Sequence, residues 1–317
     1  MPSQRYFECC ERVLGFFLIC LALIAKNDPA NAQSKHTVNV LADLSGLAWI
    51  EGDTFLAVHD AKNPEENPRP RVSTVSLPNS LAGIAWNPFD LEWPPPLGLS
   101  SDLESISRIP GKQSFLLVES GEGMLDNQQF RRIFLVECRE QQWDLVSFAT
   151  LPESAVNVEG TAVARLGERL AFIFAERADG QPSTNLMWAE LQLQPLELGL
   201  FQHATFRPPD FTGPNWRPVS AIEIDRNGRV YLASAFDPGD DNGPFRSVIW
   251  RAGQIKLDAH GKFALVLEAQ PHRLAVLDGL KVESLAVREQ AEGKPELFAG
   301  TDDENYGGAL RLIPLQP

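Results

Sequence analysis

Short runs of alternating apolar and polar or small residues fill the chain from position 36 onward, and turn-forming groups such as IEGD, IPGK, LGE, DRNG and EGKP separate them. Period two is the spacing of a half-buried strand, whereas capped helix signals are almost absent, so the pattern predicts an all-β fold. One seven-residue run recurs five times: DLSGLAW (43–49), DLESISR (102–108), NVEGTAV (157–163), PVSAIEI (218–224) and KVESLAV (281–287). Each is followed by a second run (53–60, 113–120, 169–177, 229–237 and 295–303) and then a third (71–78, 131–138, 185–193, 247–253 and 308–314). Fourth runs stand at 143–151, 199–206 and 263–269.

The repeats start 59, 55, 61 and 63 residues apart, a spacing that accommodates four-stranded propeller blades of about 40 to 50 residues with inserted loops. The reading is a five-bladed β-propeller forming one domain over residues 33–317, because no blade hides both its faces alone. LAGIAW (81–86) resembles a sixth repeat but follows the first too closely, and is read as the outer strand of blade one. The proline-rich stretch 87–98 then acts as an extended crossover. The fifth unit ends after its third run, while HTVNVL (36–41) precedes the first repeat. That N-terminal strand is expected to join the last blade and close the ring, removing an open sheet edge.

The third column of the repeat holds Ser45, Glu104, Glu159, Ser220 and Glu283, and the fourth holds only Gly46, Ser105, Gly160, Ala221 and Ser284. Small residues suit the crowded axis of a propeller, where first strands approach one another. If the five oxygen-bearing side chains converge there, three carboxylates need a counterion. Hard oxygen donors without thiol or imidazole suit Ca2+ better than Zn2+ or the strictly octahedral Mg2+. The alternative is that these side chains bond to backbone groups of the next blade and lock the ring.

Residues 1–32 read as an export signal: Arg5 and Arg12 precede the apolar run 13–25, and Ala30-Asn31-Ala32 offers a cleavage site. An uncleaved N-terminal anchor is the other reading of this segment. Export places the domain in a periplasmic or extracellular setting, with no membrane association after cleavage. Three of the four cysteines lie in this leader, leaving Cys138 alone in the domain, where it reads as a buried small residue. Removing the leader's three basic and three acidic residues leaves 25 Lys and Arg against 39 Asp and Glu, and the net charge stays at −14. Such a surface repels nucleic acid and suits a small ligand or substrate, together with a cation.

The second runs end at one rim, which gathers His59 and Asp60, Glu119 and Ser120, Glu176 and Arg177, Asp237, and Asp302 with Asp303. Candidate catalytic residues there are Glu119, Glu176 and His59 as bases and Arg177 as a phosphate clamp, with Lys62, Arg131 and Arg132 as further clamps. His59 and Asp60 are adjacent on a strand and so do not form a dyad. The loops 237–243 and 301–308 pack acidic and amide oxygens with glycine, which suggests cation binding, but they lack EF-hand spacing and read first as solvated turns. Nucleophile-elbow, HExxH and P-loop motifs are missing from the sequence.

The order Ser, Glu, Glu, Ser, Glu on successive repeats, with the phrase DLSGLAWIEGDTFLAVHD, resembles the axial calcium site and first blade of the five-bladed calcium-activated nucleotidase (apyrase) propellers. The segments LSGLAW, DLESIS, NVEGTAV and FAGTDDENYGGALRLI are similar to exported bacterial phytase-like and SdiA-regulated propellers. The resemblance implies an axial Ca2+ and a calcium-dependent hydrolase of phosphate esters or anhydrides. The competing expectation is a non-catalytic binding propeller with a structural calcium.

Overall fold

A computed structural model describes residues 36–37, 42–62, 70–77, 84–93, 98–122, 124–125, 128–209, 213–290 and 294–314. All of them belong to one compact unit spanning His36–Pro317. The leader 1–32, with Cys9, Cys10 and Cys20, lies outside the described residues.

The chain folds into five antiparallel sheets, each led by one copy of the repeat, as the pattern predicts. The five leading strands are Gly46–Glu51, Leu103–Arg108, Val158–Leu166, Trp216–Ile224 and Val282–Arg288. Each pairs with the second run of its unit, and that run pairs with the third. Outer strands Ala85–Phe89, Gln142–Thr150, Gln202–Phe206 and Phe263–Asp278 complete the first four sheets, while the fifth has three described strands. LAGIAW accordingly contributes its last two residues to the outer strand of blade one. The leading strands touch in the order one, two, three, four, five and back to one, which makes a closed ring.

Five hydrophobic clusters fill the five seams between neighbouring blades, not the interiors of single sheets. The seam between blades three and four holds Ile173, Trp188, Ile222 and Trp250, and that between blades five and one holds Leu44, Leu47, Phe55 and Phe298. A blade therefore has a core only when its neighbours are present.

The N-terminal segment behaves differently from expectation. His36–Thr37 pairs with Ala85–Phe89, His36 opposite Trp86, at the outer edge of blade one and not in blade five. It covers backbone groups that would otherwise form an open edge there. The ring closes through the leading strands themselves. Leu44 N–H donates to Thr301 O at 3.1 Å, and Ser284 Oγ donates to Leu44 O at 2.7 Å.

Close approach explains the fourth column. A Cβ on Gly46 would stand 2.8 Å from the Ile106 nitrogen, and one on Gly160 would stand 2.7 Å from the Ile222 nitrogen. The third column departs from simple alternation. In blades two, three and five the pairing skips Glu104, Glu159 and Glu283 at a β-bulge, and in blade four it breaks between Arg217 and Ala221, around Ser220. A bulge bends the strand and re-aims the extra residue. Cys138 is half-buried and carries no disulfide, not fully buried as expected, because it sits near the outer end of Arg132–Arg139.

Candidate functional site

The bulged ends of the leading strands and the ends of the second strands frame one mouth of the central channel. A cavity of about 640 Å³ opens there, lined by seven carboxylates against Lys62, Arg177, Arg217 and Lys281. Beneath it a void of about 10 Å³ is bounded by Ser45, Glu159 and Glu283, the scale of a single water-sized sphere. Ser45, Glu104, Glu159 and Glu283 thus line the axial cavities, and Ser220 does not.

The third column does not form one uniform shell. Glu159 pairs with Arg177 Nε at 2.8 Å and with Arg217 Nη1 at 4.0 Å. Glu283 lies 2.6 Å from Arg217 Nη1 and 3.7 Å from Lys281 Nζ. Ser220 Oγ donates to Val282 O of the next blade at 2.7 Å, the ring-locking bond of the alternative reading. Protein cations therefore neutralise the side of the mouth built by blades three, four and five. Burial pushes the Glu159 carboxyl up to about 7, against the pull of Arg177. The charges around Arg217 and Lys281 more than offset their burial and keep both firmly protonated.

The side built by blades one and two is different. Carboxylate oxygens of Asp60, Asp102 and Glu104 all lie within 4.8 Å of one another. Asp102 reaches this place from a left-handed backbone conformation, φ 59°, accepts a hydrogen bond from Ser120 Oγ, and lies 3.2 Å from the half-exposed Lys62 ammonium. Glu104 is 8% exposed and has no hydrogen-bond or ion-pair partner among the described residues. Burial, then the charges of Glu159 and Asp102, holds its carboxyl well above the usual range. Burial and the neighbouring Asp43 raise Asp60 to about 7. Three hard oxygen groups, one of them orphaned and buried, fit a divalent cation by donor chemistry, and Ca2+ tolerates such an irregular set best.

The candidate catalytic residues separate. Arg177 lines the cavity, pairs through Nε with Glu159, and its terminal nitrogens donate no hydrogen bond among the described residues. His59 also reaches the wall but is consumed structurally: Nδ1 lies 2.5 Å from Asp43 O and Nε2 lies 2.8 Å from Ser73 Oγ. Burial depresses its pKa and keeps the ring neutral. Glu119 lies away from the channel. It is fully buried, grips Arg132 through both oxygens and accepts the Ser101 N–H at 3.0 Å. Its place at the end of a second run brought it to the rim level but turned it outward, into the blade. Glu176 accepts the Val156 N–H at 3.0 Å and is not part of the cavity wall. Arg132 is committed to Glu119, and Arg131 packs against Gly121.

Asp43, Asp102, Arg217 and Lys281 are site residues that the third column does not reveal. Three of them stand in the first column of the repeat, which reads Asp43, Asp102, Asn157, Pro218, Lys281 and offered the signal. Loops 237–243 and 301–308 are turns whose aspartates cap their own backbone: Asp237 accepts Gly239 N–H, Asp240 accepts Asn242 N–H and Asp302 accepts Glu304 N–H.

No protein-family model matches the chain, and no curated protein does. Solved structures with a similar fold include an exo-1,5-alpha-L-arabinanase from a bovine ruminal metagenomic library, at 11% identity and TM-score 0.47 over 87% of this chain and 94% of that one. A GH43 endo-arabinanase from Bacillus licheniformis shares 14% identity at TM-score 0.46 over 88% and 94%. The periplasmic gluconolactonase of Pseudomonas aeruginosa shares 13% at TM-score 0.40 over 82% of each chain. The five-bladed arrangement rests on the strand order described above. Among the described residues, no helix is long and apolar enough to cross a membrane.

Proposed function

We propose that this is an exported, calcium-dependent propeller that binds a small phosphorylated substrate at the channel mouth and hydrolyses its phosphate ester or anhydride bond. The observation that carries the reading is the trio Asp60, Asp102 and Glu104, with Glu104 buried and unpartnered, beside an arginine whose terminal nitrogens donate no hydrogen bond among the described residues. The resemblance of the repeat to the apyrase and phytase-like propellers agrees with it.

Asp60, Asp102 and Glu104 would hold the ion, with Lys62 swinging off Asp102 as it arrives. A bound calcium supplies charge that polarises phosphoryl oxygens and acidifies water. Arg177 donates its two terminal N–H groups to the phosphoryl oxygens, while its Nε stays on Glu159. Asp43 lines the cavity next to Asp60 and would receive a proton from the attacking water as the P–O bond to the leaving oxygen breaks, that oxygen departing with the bonding pair and taking a proton from solvent at the open mouth. Arg217 and Lys281 position Glu159 and Glu283 and do not reach the substrate, since their nitrogens are engaged.

The test is turnover of a panel of phosphate monoesters, nucleoside diphosphates and carboxyl esters, with calcium and with chelator. Phosphate release that disappears with chelator and in Glu104→Gln, and whose KM rises about tenfold in Arg177→Gln, supports the proposal. A second reading is favoured by the structural engagement of His59 and Glu119, which leaves few free bases: a binding propeller with the same ion. Calcium binding by calorimetry without turnover anywhere on the panel would establish that reading instead.

A further inference from the structure

The channel has a second mouth, at the other ends of the same leading strands. A cavity of about 380 Å³ lies there, and all five blades contribute to its wall. Its apolar surface comes from Trp49, Val163, Ile224 and Val287. The guanidinium of Arg108 lies 4.7 Å from the Trp49 ring centroid. Arg108 donates through Nε to Lys112 O at 3.3 Å, and Arg165 donates through Nε to Pro110 O at 2.8 Å. Each bond anchors one edge of the fork, and the terminal nitrogens of both arginines have no partner among the described residues.

The acidic groups of this mouth each hold protein partners, although Glu289 Oε2 meets Arg226 only as an ion pair and accepts no hydrogen bond among the described residues. Glu223 accepts Ile224 N–H at 2.8 Å and Val287 N–H at 3.3 Å. Asp225 accepts Asn227 N–H, Arg229 N–H and Tyr231 O–H. Glu289 accepts Arg226 N–H and pairs with its guanidinium at 3.4 Å. Burial moves Glu223 up to about 8, so it carries little charge at neutral pH. What remains is two guanidinium forks whose terminal nitrogens donate no hydrogen bond among the described residues, Arg108 within the field of Glu223, Glu51 and Glu289, at the edge of an apolar, aromatic-walled pocket.

We propose that this opposite mouth is a second ligand site, which takes a small planar carboxylate between Arg108 and Arg165 with its ring against the Trp49, Val163 and Val287 wall. A guanidinium fork matches the two coplanar oxygens of a carboxylate, and the low-polarity wall strengthens that contact. The ligand differs in kind from that of the first mouth, where carboxylates dominate and a cation is the missing partner.

The experiment is calorimetric titration of the whole protein with benzoate, with benzamide as a neutral ligand of the same shape, and with inorganic phosphate. Benzoate binding one-to-one, at least tenfold tighter than benzamide, is expected. Arg165→Gln should weaken benzoate at least tenfold. Arg165→Lys, which keeps the charge and loses the fork, should weaken it severalfold with the thermal midpoint near that of the parent. Glu104→Gln should leave benzoate affinity unchanged, which separates this site from the cation site. Equal binding of benzoate and benzamide, no effect of either Arg165 variant, displacement of benzoate by phosphate at lower concentration, or loss of benzoate binding in Glu104→Gln would each overturn the proposal.

Discussion

Lys281 is 2% exposed, yet its ammonium lies 3.0 Å from Asp302, 3.7 Å from both Glu283 and Asp237, and against Glu304. Removing the charge leaves several buried or half-buried carboxylates facing one another, the situation in which breaking a buried pair costs about 3 to 5 kcal/mol. Lys281→Met should lose stability of that order in urea unfolding, whereas an exposed pair such as Arg246 with Asp278 should cost less than about 1 kcal/mol when broken. Glu223 gives a pH dependence with a definite sign. Its folded carboxyl is raised from 4.5 to about 8 by burial, so over that window the folded state holds a proton that the unfolded state has released. Stability must fall as pH rises from about 4.5 to 8 and level off above. Unfolding free energies measured with saturating calcium should show this decline, and Glu223→Gln should make it shallower, leaving the part that the raised Glu159 carboxyl adds up to about 7, while losing some stability at every pH, since one amide oxygen replaces two carboxyl oxygens that each accept a backbone N–H. At this scale the sequence was partly legible. Chemical type and column position pointed to Glu104 and Arg177, but not to which carboxylates would find cations. Arg217 is the reason: it reaches Glu159, Glu283, Asp179 and Asp237 from four other stretches of chain, and no local spacing encodes that meeting.

The leading strand does two jobs with adjacent residues, packing at the fourth column and presenting chemistry at the third. Gly160 lies so close to blade four that any side chain must push the strands apart. Gly160→Val should destabilise by about 1 to 3 kcal/mol as an overpacked contact, read as a lower urea midpoint. Ala221→Gly, which only removes a methyl from the next seam, between blades four and five, should cost less. The small-residue column was readable because steric crowding is a local demand on residue size. The bulges were not, since Glu104, Glu159 and Glu283 look like ordinary members of an alternating run and only the register with the second strand shows that each is skipped. Alternation predicted the strands and misjudged where their polar residues aim. Glu119 shows the same limit in reverse: the strand ends at the rim as expected, but its last side chain turns into the blade to meet Arg132.

Across the ring, the repeat revealed five blades because five seams each need two neighbours, and the clusters observed follow that rule. The N-terminal strand was misplaced because an unpaired edge exists on blade one as well as on blade five, and sequence does not rank them. The charge distribution around the channel is also unequal. Arg217, Lys281 and Arg177 bind the acidic groups of blades three, four and five, so those seams are internally neutralised. Blades one and two present Asp60, Asp102 and Glu104 with the half-exposed Lys62 as their one ion-pair partner among the described residues. In the absence of a divalent ion, mutual repulsion should loosen the seam between Gly46–Glu51 and Leu103–Arg108 before any other. A ligand that binds only the folded state at 100 times its dissociation constant adds about 2.7 kcal/mol, and local openings that break its site gain that protection while others do not. Amide exchange followed by mass spectrometry should therefore slow with calcium in peptides covering 46–58 and 103–119. Peptides covering 216–236 and 282–301 should change little below the global unfolding limit. In Glu104→Gln the calcium effect should vanish. Uniform slowing around the ring would instead place the ion on the axis, shared by all five third-column residues, and would return the trio to being an acidic patch neutralised by Lys62.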